Sequence, residues 1–92
     1  MSSHKPEPSY LAVGRVQRPH GVRGELKVGT LTTHPEHLVN VDTIYVGRDQ
    51  RPYRLLRVRS HKNALLITLE GVTGREAAEA FRGALIYVSL SD

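Results

Sequence analysis

The side chains with most chemical potential crowd into one short stretch, Gln17-Arg18-Pro19-His20-Gly21-Val22-Arg23-Gly24, which holds two Arg, a His, a Pro and two Gly. Pro19 fixes its own φ and restricts Arg18, while Gly21 and Gly24 can take positive φ. The stretch therefore reads as a loop of one shape that presents Arg18, His20 and Arg23. Cations fixed in this way suit the oxygens of a phosphate backbone. A tight turn with solvated cations accounts for the same residues, and spacing alone leaves both readings open.

Arg15 and Lys27 flank this loop. A second basic group follows, with Arg48 and Arg51 leading to Arg54, Arg57, Arg59 and Lys62. Alternation along a strand puts Arg57 and Arg59 on one face and Leu56 and Val58 on the other. The group is either a further phosphate-binding stripe or a solvated face, and nothing in the sequence sets it beside the first.

Other chemistry is weakly represented. His34 and His37 stand at i, i+3, within a wider set of His4, His20 and His61, but there is no Cys, and Glu36 is the carboxylate beside them. No metal site is expected. His20 with Glu25 is the one pair that suggests acid–base work. Glu25 reads more simply as the outward residue opening a strand, a partner for Arg15 or Arg23. Neither catalysis nor a cofactor is expected.

These residues must be positioned by a small core. The chain has 92 residues, 39% of them hydrophobic, with no Trp, one Phe and four Tyr, which suits one domain with an aliphatic interior. The absence of Cys fits a reducing compartment. No signal-peptide pattern opens the sequence and no run approaches the ~18 apolar residues of a membrane span, so a cytoplasmic protein without membrane contact is expected. Net charge is +4, and the stretch from Arg15 to Lys62 carries ten basic against four acidic residues, a bias that favours polyanionic partners.

Six strands are legible. Tyr10 to Val16 mixes β-branched and apolar residues, Glu25 to Thr32 alternates, and Thr43 to Gly47 and Tyr53 to Ser60 flank a polar turn. Ala64 to Leu69 follows His61-Lys62-Asn63, where Asn63 is the residue suited to a left-handed turn, and Ala84 to Leu90 comes last. Thr33 to Leu38 reads as a short connector. Thr73-Gly74-Arg75-Glu76 matches a capping box, so a helix begins there, with Ala77, Ala80 and Phe81 on its buried face and Glu76 and Glu79 in water. The sum is an all-β fold, a small six-stranded antiparallel barrel with one short capping helix; a sandwich is the alternative.

Val13-Gly14-Arg15-Val16 followed by Arg18-Pro19-His20-Gly21-Val22-Arg23-Gly24-Glu25-Leu26-Lys27-Val28 resembles the opening signature of the RimM family of 16S ribosomal-RNA processing factors. Thr32-Thr33-His34-Pro35-Glu36, Gly71 to Glu79, Arg82-Gly83 and Ile86-Tyr87-Val88 resemble further family segments, so the likeness spans Tyr10 to Leu90. Thr33 departs from it, standing where the family often has Asp.

The resemblance implies a barrel similar to the second domain of translational GTPases, at residues 10–92 behind a flexible tail of residues 1–9. It further implies a non-enzymatic role in assembling the head of the small (30S) ribosomal subunit. The partners would be 16S rRNA and small-subunit ribosomal protein nineteen, the latter mainly through a C-terminal PRC-type barrel that this chain lacks, and the module would act as a monomer. On this reading the binding residues are Arg15, Arg18, Pro19, His20, Gly21, Arg23, Gly24 and Lys27, with Arg54, Arg57, Arg59 and Lys62 as a secondary patch. A protein-docking barrel without RNA contact and, more remotely, a flavin-reductase-like barrel are the alternatives.

Overall fold

The computed structural model describes residues 9–32, 38 and 40–90. The tail at residues 1–8, the connector around Thr33, His34 and His37, and the end of the chain lie outside the described residues.

The strands are β1 (Tyr10–His20), β2 (Glu25–Thr30), β3 (Thr43–Val46), β4 (Arg51–His61), β5 (Ala64–Leu69) and β6 (Leu85–Ser89), with the helix α1 (Arg75–Glu79) before β6. They close into an antiparallel barrel in the order β1-β2-β5-β4-β3-β6, with β6 returning to β1. Closure rather than a sandwich leaves no long unpaired strand edge. The interior is aliphatic as expected: Val13, Val16, Leu26, Val28, Ile44, Ile67, Leu69 and Ile86 are fully or almost fully buried.

β1 does not end at Val16, as its pattern suggests, but runs to His20, so the expected loop is only the turn 21–24. A register shift between Val16 and Arg18 in the pairing with β2 makes Gln17 a bulge. That extra residue reverses the alternation: Pro19 turns inward and is buried opposite Leu26, while Arg18 and His20 face out opposite Lys27 and Glu25.

A second bulge corrects the reading of β4. Its register against β5 shifts between Leu55 and Arg57, which leaves Leu56 exposed at 55% rather than inward with Val58. Arg57 and Arg59 do share the outer face. At the β4–β5 turn, positive φ falls on Lys62 (φ 56) and not on Asn63.

The helix is shorter than its pattern suggests. Its N-cap is Gly74, with no side-chain hydrogen bond to the first turn, so the expected Thr73–Glu76 capping box is not formed. Ala78 is the buried residue, Ala77 and Ala80 are exposed, and Phe81 is half-buried against Tyr53, ring centroids 5.3 Å apart. α1 has only five residues, too few for an i, i+3, i+4 stripe to decide the buried face. Backbone bonds place it instead: Gly83 N–H donates to Val16 O and Val16 N–H to Ala84 O. The Arg75 guanidinium donates to Gly21 O at 3.2 Å, tying the helix to the β1–β2 turn.

Candidate nucleic-acid interface

β1, β2, β5 and β4 form one continuous wall of the barrel. The β1–β2 turn and the β4–β5 turn sit at opposite ends of that wall and on its opposite edges. Even so, the rings of His20 and His61, one beside each turn, are 4.9 Å apart at 58°. The right-handed twist of a sheet accounts for this, since it curls diagonal corners towards the same face. The outer surface of the wall is thus a saddle, and the two basic groups that the sequence left unrelated meet across it.

Leu66 lies at the bottom of the saddle. Register places it between Lys27 of β2 and Arg59 of β4, on the outward side of β5, yet it is 0% exposed. The outward side chains of the neighbouring strands therefore form a polar roof over an apolar floor, burying their stems and keeping their charged ends in water.

Glu25 helps to hold that roof. It accepts two hydrogen bonds from Arg59, Nε to Oε2 at 2.9 Å and Nη2 to Oε1 at 3.0 Å, so its partner is neither Arg15 nor Arg23. The Arg59 hydrogen bonds hold the Glu25 carboxyl below its ordinary value of 4.5, with smaller help from the charges of Arg59, His20 and Arg57. A depressed carboxyl stabilises the fold above its unfolded value and loses that contribution as pH falls through the folded value. The melting temperature of wild type is accordingly expected to fall more steeply below pH 4.5 than that of Glu25→Gln. Parallel thermal-melting curves in acid would refute this account of the pair.

The remaining site residues fall on the saddle, in the scaffold or apart from both. Arg18, His20 and Lys27 stand on the saddle with Arg57, Arg59 and, at the adjoining turn, Lys62. Arg23 is exposed in the β1–β2 turn. Four others belong to the scaffold instead. Arg15 Nη1 donates to Gly83 O at 2.9 Å, Pro19 is buried in the wall, and Gly24 is buried against the segment before α1. Gly21 takes positive φ (φ 74) and supplies its carbonyl to Arg75. Arg54 lies past the β4 bulge, beside β3, and does not join the saddle.

Sequence reasoning missed three things: the diagonal closure of the saddle, Leu66 beneath it and the Glu25–Arg59 pair. The unbroken apolar run Ala64 to Leu69 did carry a signal for Leu66, because a strand apolar on both faces is buried on both. Among the described residues no group of three or more His, Cys, Asp or Glu could hold a metal ion, and no helix is long and apolar enough to cross a membrane.

The sequence profile of the RimM N-terminal domain matches residues 11–92. The chain belongs to the RimM N-terminal domain family. Curated relatives named ribosome maturation factor RimM include those of Roseiflexus castenholzii, 43% identical over 84 residues covering 89% of this chain and 47% of the relative, and Chloroflexus aurantiacus, 36% identical with 89% and 48% covered. The chain spans about half the length of the curated relatives it matches. Among solved structures, a Pseudomonas aeruginosa chain described as a 16S ribosomal RNA processing protein RimM superposes with a TM-score of 0.80 at 30% identity, covering 91% of this chain and 52% of that one. The N-terminal domain of RimM from Thermus thermophilus, at 22% identity, shares the fold with a TM-score of 0.74 and covers 90% of this chain and 92% of its own. The RimM N-terminal fold, a closed six-stranded ring, is thus the frame on which this chain's bulged β1 and saddle are built.

Proposed function

We propose that this chain is a binding module of a ribosome maturation factor that engages the assembling small subunit in the cytoplasm and assists 16S rRNA processing, using the saddle to hold RNA phosphates. It acts as a monomer and carries out no covalent chemistry of its own. Contact with small-subunit ribosomal protein nineteen falls mainly to the other half of the longer family members. Family membership and the relatives' names support the process. The observation that carries the RNA contact is the meeting of the two basic groups across the wall, marked by the 4.9 Å approach of His20 and His61.

The geometry suits a backbone rather than a base sequence. Arg and Lys ends stand around a curved surface, as needed to follow a line of phosphates, and such contacts position without reading sequence. Each phosphate neutralised on a duplex contributes about 0.9 to the slope of log affinity against log salt.

Binding of a fluorescent 16S rRNA fragment is expected to weaken on the order of tenfold at 0.1 M salt for each cation removed among Lys27→Ala, Arg57→Ala and Lys62→Ala, with the salt slope falling by about one each time. Arg48→Ala and Arg51→Ala, around the β3–β4 turn, should change little. Equal losses from both sets would refute the saddle as the contact. Undetectable RNA binding by a chain that still co-sediments with immature small subunits would move the assignment to a protein partner.

A further inference from the structure

We propose that the His20–His61 pair, with Lys27 and Lys62 beside it, is a phosphate subsite in which binding of the anion is coupled to uptake of a proton by the pair. The proposal rests on the RNA reading above and adds where on the saddle a phosphate sits and what its binding changes.

Three observations lead there. First, the two imidazoles are in ring contact although they end strands β1 and β4 at opposite ends of the wall, so the fold itself brings them together. Second, apart from Glu25, the charged side chains that the neighbouring strands and turn present on this face are positive, and Lys62, Lys27 and Arg59 act on His61 directly. Arg18 of β1 and Lys27 of β2 are paired in register, Arg57 and Arg59 come from β4, and Lys62 from the β4–β5 turn. Third, Glu25 is the one carboxylate that the four strands of the wall contain, and both its oxygens are taken by Arg59. Glu25 also acts on His20, but the charges that act on His61 are all positive.

This arrangement makes the pair sensitive to an anion. Partial burial, and then the charges of His20, Lys62, Lys27 and Arg59, hold the His61 imidazole below its ordinary value of 6.5. A phosphate oxygen between the rings and the lysines would reverse that field and accept a charge-assisted hydrogen bond from an imidazolium N–H. Protonation and phosphate binding then favour each other. By linkage, affinity rises about tenfold per pH unit, as pH falls, for each proton taken up between the free and bound titration midpoints. A pair that merely roofs Leu66 would show no such coupling.

The imidazole resonances of His20 and His61 can be followed by NMR from about pH 8 to about pH 5, across the usual histidine range. Titrations would be run with and without inorganic pyrophosphate. Pyrophosphate is expected to raise the His61 midpoint by about one unit in wild type and not in the Lys27→Ala/Lys62→Ala chain. In parallel, the 16S rRNA fragment should bind wild type several-fold tighter at about pH 6 than at about pH 8, and this dependence should vanish in His61→Gln. Circular dichroism verifies that each variant is folded.

A His61 midpoint indifferent to pyrophosphate overturns the subsite. RNA binding with the same pH dependence in His61→Gln overturns it too, while leaving the RNA reading standing. If pyrophosphate moves His61 but RNA does not bind at any pH, the phosphate subsite stands and the RNA reading falls.

Discussion

Gly24→Ala is expected to cost about 3 kcal/mol and to lower the melting temperature by roughly 10 to 20 °C, enough to threaten folding of a domain this small. Two costs add. Gly24 has φ 98, where side chains are strained, and a Cβ there would lie 2.4 Å from the Val72 carbonyl oxygen and 2.9 Å from the Gly74 nitrogen. Both are backbone atoms of the segment that enters α1, so neither can swing aside. Gly21 is the control: it too has positive φ, 74, but nothing lies within 4 Å of its Cβ position. Gly21→Ala should therefore cost only about 1 kcal/mol. Thermal melting of the two variants separates packing from backbone conformation, and equal losses would show that the close approach at Gly24 does not matter.

Leu66→Ala is expected to cost about 2 to 4 kcal/mol, as for a leucine inside the barrel. Strand alternation alone would class the position as outward, where substitutions fall within about 0.5 kcal/mol. With the floor removed, the His20–His61 contact should loosen and the His61 midpoint should move up towards the ordinary histidine value. Chemical denaturation measures the first effect and the NMR titration the second. A loss below about 0.5 kcal/mol would mean that the polar roof rests on something other than Leu66.

The sequence was most legible where one apolar pattern ruled a whole segment. Ala64 to Leu69 and the strand at Leu85–Ser89 emerge with bounds close to those observed, because apolar side chains filling a closed barrel leave a plain pattern. It was least legible at bulges. One added residue at Gln17 and another at Leu56 invert the facing of everything beyond them, and neither has a composition that announces it. That is why Pro19 turns into the wall and Leu56 turns out of it, against simple alternation. The site followed the same logic. Its cations could be named from the sequence, but their meeting depends on the twist accumulated over four strands, a property of the whole wall that no local pattern encodes. The helix failed for a different reason: five residues are placed by their anchors, here Arg75 on Gly21 and the Val16–Gly83 backbone bond, more than by their own periodicity.

The seam between β1 and β6 has a consequence of its own. Leu90 N–H donates to Ser9 O at 2.9 Å, so the backbone enters and leaves the ring at the same point. Every strand then has two neighbours, and the ring has no privileged first strand. A short peptide joining Ser9 to Leu90, with new ends opened at Lys62 and Asn63, would give a circular permutant with the same six pairings reached in a different order of chain. Such a molecule would carry the saddle intact while placing a free amino group and a free carboxylate beside the histidine pair, the one part of its surface where added charge should matter most.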